Sequence, residues 1–264
     1  MFIIGERING MFKDVAKAIK EKNKSVIQEL ALKQISCNAS ALDVNVGPAS
    51  ANPKEAMEWL VKTIQEAVDI PLAIDTTKQD VMESGLSLCK SKPIINSVNA
   101  NEEKMKSLFA LAKKYNASII GLTMDKTGIP KDSEGRIELA MKIVASCVDH
   151  GIDTSELYLD AVILPVNVAQ PHASEVLKAI RDSKMLAEPS PKTVLGLSNV
   201  SQGSPAQYKS LINRTFLAMA IANGLDAAIL DVTDKELMDS LITAELLMEK
   251  QLYCDSYLEA YRKK

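Results

Sequence analysis

Pro71-Leu-Ala-Ile-Asp75 is the stretch that decides the fold predicted for this chain, because its plan recurs three more times. The other stretches are Pro93-Ile-Ile-Asn96, Leu157-Tyr-Leu-Asp160 and Thr193-Val-Leu-Gly-Leu-Ser-Asn199. Each is a short apolar run that ends in a carboxylate or amide side chain and precedes a helix-like segment. In an α/β barrel the active site is built at the carboxyl ends of successive parallel strands. We therefore expect the four terminal polar side chains to face one pocket.

Eight apolar runs alternate with helical patterns along the chain. They lack polar–apolar alternation, which is typical of strands covered on both faces. The runs are residues 2–5, 41–45, 72–75, 94–96, 118–123, 157–160, 193–197 and 227–231. Such an alternation fits a closed (β/α)8 barrel or an open doubly wound sheet. No Gly-x-Gly-x-x-Gly follows the first run, and the 264 residues are close to the roughly 250 of a barrel. We predict a single-domain (β/α)8 TIM barrel over residues 1–264.

Local signals mark the helices between these strands. Residues 14–37 are predicted to form two helices, with a break at Lys22-Asn23. The other predicted helix starts are Asn52 with Pro53, Asn101 with Glu102, Ser133, and a capping box of Thr233 with Glu236.

Composition excludes several classes of function. A net charge of −3 gives no electrostatic footprint for nucleic acid. No apolar run approaches the roughly 18 residues that cross a bilayer, and the start lacks the layout of a signal peptide, so we expect a cytoplasmic protein. Four scattered cysteines and two histidines provide no zinc spacing. We expect reduced thiols and no metal of the protein's own.

The predicted strand ends carry carboxylates and amides, without histidine, cysteine or a nucleophile elbow. Besides the four residues above, they include Glu6, Arg7, Asn9, Asp43, Asn45, Asp125, Ser198, Gln202 and Asp231. Carboxylates accept paired N–H bonds and amides both donate and accept, which suits the edge of a pterin. A hard metal ion is the rival use of several aspartates. Individually, these residues could also be helix caps or turn residues, and Glu6 could pair with Arg7 at the rim.

Six strings occur in order along essentially the whole chain. They are Gly5-Glu-Arg-Ile-Asn9, Leu42-Asp-Val-Asn-Val-Gly47, Ile74-Asp-Thr76, Ile95-Asn-Ser97, Leu159-Asp160 with Leu164-Pro165, and Gly196-Leu-Ser-Asn-Val-Ser201. As an ordered set they resemble the pterin-binding barrel family, and within it the methyltetrahydrofolate:corrinoid methyltransferases. The resemblance implies transfer of the N5-methyl group of 5-methyltetrahydrofolate to the Co(I) centre of a corrinoid protein.

The same resemblance implies roles for individual residues. Asp75, Asn96 and Asp160 would hold the pterin ring, and Asn199 would reach N5. Gly196 and Ser198 would shape the floor of the site, with Gln202 nearby. Asn199 and Asp160 are the predicted catalytic residues: Asn199 would donate a hydrogen bond that strengthens as N5 gains charge, and Asp160 with ordered water would supply the proton.

Dihydropteroate synthases form another branch of this family, with a lysine in the loop after strand seven and a cationic site on the last strand. Here those places hold Ser198-Asn-Val-Ser-Gln202 and Ala228-Ile-Leu-Asp-Val-Thr233. Neither supplies a cation, which argues against a pyrophosphate leaving group. The condensing enzyme stays an alternative, as does a folate-binding module without catalysis.

The partners follow from the resemblance as well. The chain lacks an Asp-x-His-x-x-Gly motif for corrinoid binding, so the cobalamin would arrive on another polypeptide. The resemblance implies a corrinoid/iron–sulfur protein that docks at the barrel mouth, as in the acetyl-CoA pathway. Together with the amphipathic stretch 241–261, it also implies a homodimer.

Overall fold

Eight parallel strands form a closed barrel in the computed structural model, which describes residues 1–262. The strands follow in chain order, and β1 pairs with β8 to close the sheet. They are β1 (Phe2–Asn9), β2 (Ala41–Asn45), β3 (Leu72–Asp75), β4 (Ile94–Asn99), β5 (Ser118–Leu122), β6 (Leu157–Asp160), β7 (Lys192–Gly196) and β8 (Ala227–Leu230). The predicted single-domain (β/α)8 barrel is confirmed.

Helices cover the outside of the barrel. They are α1 (Lys13–Glu21), α2 (Lys24–Ser36), α3 (Pro53–Ala67), α4 (Gln79–Leu86), α5 (Glu102–Lys114), α6 (Ser133–Asp149), α7 (Val166–Ala169), α8 (His172–Ser183), α9 (Ala206–Ala222), α10 (Lys235–Leu247) and α11 (Tyr257–Arg262). Short 3₁₀ turns span Thr154–Glu156 and Leu197–Ser201. No helix within residues 1–262 is long and apolar enough to cross a membrane.

Two strands run further than the sequence predicts. The pairing of β1 with β2 shifts register between Gly5 and Ile8 and then continues to Asn9. The pairing of β4 with β5 shifts after Asn96 and continues to Asn99. Both extensions are mostly polar, with one buried apolar residue each (Ile8 and Val98), so the continuous apolar run ended too early to reveal them.

The helix-start predictions are partly right. Asn52 and Asn101 each accept a backbone N–H from the first turn, and the break between α1 and α2 falls at Lys22 as predicted. Two predicted helix caps are wrong, because in each case a neighbouring aspartate accepts the backbone N–H of the first turn instead. Asp132 rather than Ser133 caps α6. Asp234 caps α10, while the Thr233 hydroxyl of the predicted capping box donates to Asp231 at 2.6 Å.

The carboxyl-terminal stretch 241–261 is not one continuous helix. α10 ends at Leu247, and α11 folds back onto α10. Arg262 makes two hydrogen bonds to Asp239, and the hydroxyls of Tyr257 and Thr243 are 3.0 Å apart.

The barrel interior holds one apolar layer that the site rests on. Each strand contributes one buried side chain to it: Ile4, Ala41, Ala73, Ile94, Ile120, Tyr158, Val194 and Ala227. Because side chains alternate along a strand, residues two positions further on also point inward. That next layer lies at the carboxyl ends of the strands, where (β/α)8 enzymes place their active sites.

Candidate active site

A polar layer lies directly above the apolar layer of the barrel. Its members are the residues two positions beyond the apolar ones on six of the strands: Glu6, Asp43, Asp75, Asn96, Asp160 and Gly196. Strands five and eight are the exceptions, because Leu122 and Ile229 occupy their places. The predicted residues Asp75, Asn96 and Asp160 are therefore together at one rim.

On the β2–β4 side, two amides are paired with two carboxylates. Asn45 Nδ2 donates to Asp75 Oδ2 at 2.6 Å, and Asn96 Nδ2 donates to Asp43 Oδ1 at 2.9 Å. Asn45 lies opposite Asp75 in the parallel register, and Asp75 lies opposite Asn96. Within residues 1–262, Asp75 keeps its other oxygen free of hydrogen bonds, so it can accept from a ligand.

Burial gives these carboxylates an unusual electrostatic state. Desolvation raises the pKa of Asp43 well above its ordinary value, and the neighbouring charge of Asp75 adds to the shift. The bond from Asn96 opposes it. Burial also raises the pKa of Asp75, against the bond from Asn45. Such a site favours a ligand that brings N–H donors to the carboxylates.

Asp160 is the acceptor on the opposite side of the rim. It is only 7% exposed, and burial raises its pKa to about 6. Its Oδ1 accepts the backbone N–H of Val162 at 2.7 Å, and its Oδ2 accepts that of Gly196 at 3.3 Å. Val162 has φ 55°, an uncommon left-handed conformation for a β-branched residue, and its N–H is directed at the Asp160 carboxylate.

Asn199 lies in the 3₁₀ turn that follows β7. A Cβ built on Gly196 would be 3.1 Å from Asn199 Nδ2, so the amide of Asn199 lies against the backbone of Gly196. The same Gly196 donates its N–H to Asp160. The Asn199 side chain is exposed and makes no hydrogen bond with any of residues 1–262, which leaves its amide available to a ligand.

Glu6 is a site residue that the sequence prediction did not select. The alternative that it pairs with Arg7 is wrong: Arg7 donates to Asp14 at 2.6 Å. Both Glu6 oxygens instead contact Ser198 Oγ, at 2.7 and 2.8 Å. Burial raises the pKa of Glu6 to about 7, although the sequence offered no glutamic acid with an evident pKa shift. Its place two residues after the buried Ile4 is the signal that could have identified it.

Three residues at the strand ends remain outside this network. Gln202 follows the 3₁₀ turn and is exposed. Asp125 accepts the hydroxyl and N–H of Thr127 in its own turn, and Asp231 does the same with Thr233. Within residues 1–262, no three His, Cys, Asp or Glu side chains are arranged so that they could hold a metal ion.

Comparisons with known proteins identify the family of this chain. A profile of the family described as pterin binding enzyme matches residues 9–231. The chain is 30% identical over 264 residues to the methylcorrinoid:tetrahydrofolate methyltransferase of Eubacterium limosum, covering 99% of this chain and 96% of that protein. It is 26% identical over 240 residues to methionine synthase of Mycobacterium tuberculosis, covering 87% of this chain and 20% of that protein.

Solved structures show the same fold. Dihydropteroate synthase of Yersinia pestis, solved with a pterine-sulfa conjugate, superposes with a TM-score of 0.71 at 17% identity, covering 95% of this chain and 94% of that one. Dihydropteroate synthase of Clostridium difficile, solved with pteroic acid, gives 0.70 at 18% identity, covering 94% and 96%. At these identities the likeness concerns the fold alone. The methyltransferase prediction is confirmed by the relatives above. The chain belongs to the pterin-binding enzyme family.

Proposed function

We propose that this protein transfers a methyl group between N5 of a tetrahydrofolate and the cobalt of a corrinoid held by a separate polypeptide. One observation carries the proposal: carboxylates with free acceptor capacity face an exposed amide across a single barrel mouth. Asp75 and Asp160 lie on opposite sides of that mouth, next to Asn96 and Asn199 respectively. This arrangement complements a pterin, which presents several N–H donors and a carbonyl on its edge.

The roles follow from the positions. Asp75, Asn96 and Asp160 hold the donor groups of the pterin ring. The floor beneath N5 is formed by Gly196 and Ser198, and Gln202 lies at the outer end of the same turn. These assignments rest on the polar layer of the barrel and on the resemblance of the motifs.

Asn199 acts on the reacting nitrogen. When the methyl group leaves N5, the electron pair of the C–N bond stays on that nitrogen, and N5 must be neutralised. The Asn199 amide donates a hydrogen bond that strengthens as charge builds there, which lowers the barrier selectively in the transition state. Asp160 accepts from the pterin and tunes the local charge. The corrinoid supplies the nucleophilic cobalt when its carrier is docked.

The direction of transfer in the cell is a separate matter from the chemistry of the site. The sequence analysis predicted methyltetrahydrofolate as the donor. The Eubacterium limosum relative carries the name methylcorrinoid:tetrahydrofolate methyltransferase, in which the methylcorrinoid is named first. The same residues stabilise one transition state in both directions, so we propose that the site supports both.

A corrinoid protein docks over the barrel mouth, because that face alone leads to N5. The loop after β1 exposes Met11 and Phe12 there, and α7 after β6 exposes Val168, which is 77% exposed. A corrinoid/iron–sulfur protein is our proposed partner. We also propose a homodimer, supported by the exposed Leu252 and Tyr253 near α10 and α11. Sedimentation of the isolated protein tests the dimer.

A spectroscopic assay tests the activity. The protein is mixed with 5-methyltetrahydrofolate and cob(I)alamin, and the loss of the cob(I)alamin absorption is followed; methylcobalamin with tetrahydrofolate tests the reverse. Turnover in either direction supports the proposal. Condensation of a pterin pyrophosphate with aminobenzoate would indicate the synthase alternative, and tight folate binding without turnover would indicate a non-catalytic module.

A further inference from the structure

The pair formed by Glu6 and Ser198 lies beside Asn199, the residue that we propose acts on N5. Glu6 points inward from β1, and Ser198 is the neighbour of Asn199 in the turn after β7. The two residues are 192 positions apart in the chain, so closure of the barrel alone brings them together. We propose that Glu6, through the Ser198 hydroxyl, exchanges with N5 the proton that methyl transfer requires. This inference rests on the proposed function.

The number of hydrogens available to Ser198 and Glu6 suggests that the Glu6 carboxyl is itself protonated part of the time. Ser198 Oγ is 2.7 Å from one Glu6 oxygen and 2.8 Å from the other. A serine hydroxyl has one hydrogen to donate but can also accept. Both short contacts cannot be donated bonds from Ser198 at once. When the Glu6 carboxyl carries a proton it can donate to Ser198 Oγ, and the serine hydrogen is then free to turn toward the site.

The surroundings of Glu6 favour the protonated carboxyl. Asp231, which directly follows β8, repels a carboxylate at Glu6. On the other side lies Asp43 of β2, whose own pKa is raised by the charge of Glu6. Arg7 is directed away to Asp14. Burial is the largest influence, and together with Asp231 it raises the Glu6 pKa to about 7, against the bond from Ser198. A group that is half-protonated near neutral pH is suited to both giving and taking a proton.

The other carboxyls of the rim are less suited to this role. Both oxygens of Asp160 accept backbone N–H groups, which cannot relay a proton and which oppose the burial that raises its pKa to about 6. Asp43 is buried behind the Asn96 amide. Among the carboxyls of the polar layer, Glu6 is the one bonded to a hydroxyl beside Asn199.

The proton balances the transfer. From pterin to corrinoid, the N5–CH3 bond breaks and its electron pair remains on N5, while cobalt supplies the pair for the new bond to carbon. The Glu6 proton moves to Ser198 Oγ, and the serine hydrogen moves to N5. Solvent then reprotonates Glu6. In the reverse direction N5–H gives its proton to Ser198, and Glu6 takes up the serine hydrogen.

Glu6→Gln tests the inference, because the amide retains the size of the side chain but cannot titrate. In the unaltered protein we expect transfer from 5-methyltetrahydrofolate to cob(I)alamin to slow as pH rises through the Glu6 pKa of about 7, and the reverse transfer to accelerate. We expect Glu6→Gln to lose this pH dependence and to be about 100-fold slower at pH 6. Tetrahydrofolate affinity should change less than about threefold. Asp125→Asn, at a carboxylate whose hydrogen bonds stay within its own turn after β5, is the matched control and should keep the full pH profile.

Ser198→Ala provides a second readout that does not depend on Glu6→Gln folding. Loss of the bond from Ser198 removes an influence that lowers the Glu6 pKa, so the residual activity should change at a higher pH. Infrared difference spectra should show a carboxyl that titrates near pH 7 in the unaltered protein and is missing in Glu6→Gln. An unaltered pH profile and rate in Glu6→Gln, or an unmoved midpoint in Ser198→Ala, would overturn the inference. Absence of transfer in the unaltered protein would instead refute the proposed function.

Discussion

Replacing Asp160 by asparagine should make the folded protein more stable while impairing its site. Burial raises the Asp160 pKa from 3.8 to about 6, a difference that corresponds to about 3 kcal/mol. The folded carboxyl holds its proton more tightly than the unfolded one, so stability falls as pH rises from 3.8 to about 6. Above that range the full cost of the buried charge is present, and an amide removes it.

The amide also loses one acceptor, which offsets part of this gain. In the variant, the amide oxygen can keep the 2.7 Å bond from Val162 N–H. Its NH2 group then faces the Gly196 N–H, which in the unaltered protein donates to Asp160 at 3.3 Å, and that bond is lost. That loss costs about 1 kcal/mol. We expect the free energy of unfolding of Asp160→Asn to exceed that of the unaltered protein by about 2 kcal/mol at pH 8. At pH 5 we expect this difference to be about 1.4 kcal/mol smaller.

Urea unfolding, followed by the fluorescence of Trp59, measures both values. Asp153→Asn is the control with the opposite sign, because the bonds from Ser155 lower the Asp153 pKa; its carboxylate stabilises the fold above pH 4, and the variant should be less stable there. Calorimetric titration with tetrahydrofolate should show at least about tenfold weaker binding to Asp160→Asn. A variant no more stable than the unaltered protein at pH 8 would refute the reasoning about burial.

Three further substitutions test other parts of the molecule. Asn199→Ala should lower kcat by about 100- to 1000-fold with little change in urea stability, because the side chain is exposed; stopped-flow transfer assays check this. Arg136→Met should cost at least about 3 kcal/mol in urea unfolding, because the wholly buried guanidinium donates to the carbonyls of Ala161 and Asp132 and to His172 Nδ1; retained stability would contradict this role. Gly10→Ala should lose about 1–3 kcal/mol, since a Cβ there would overlap the carbonyl of Val46, and thermal unfolding measures the loss.

Local sequence determined the strands and most of the helices. The apolar runs around Asp75 and Asp160 predicted β3 and β6 to the residue, because a buried parallel strand must be apolar on both faces. The polar residue at the end of each run then predicted which side chains face the mouth. Of these, Asn199 lies beside Gly196, and its role at N5 stays a prediction.

Barrel closure decided what the sequence could not. The bond between Asn45 and Asp75 joins two strands, and the contact of Glu6 with Ser198 joins residues that are 192 positions apart in the chain. Raised pKa values at Glu6 and Asp160 come from water excluded by the whole barrel, not from flanking residues. Residue types and periodicity are local properties of the chain, so they were sufficient to predict the strands. Desolvation and contacts between distant strands exist only in the packed fold, so only the tertiary structure decided the pKa values and hydrogen bonds at the barrel mouth.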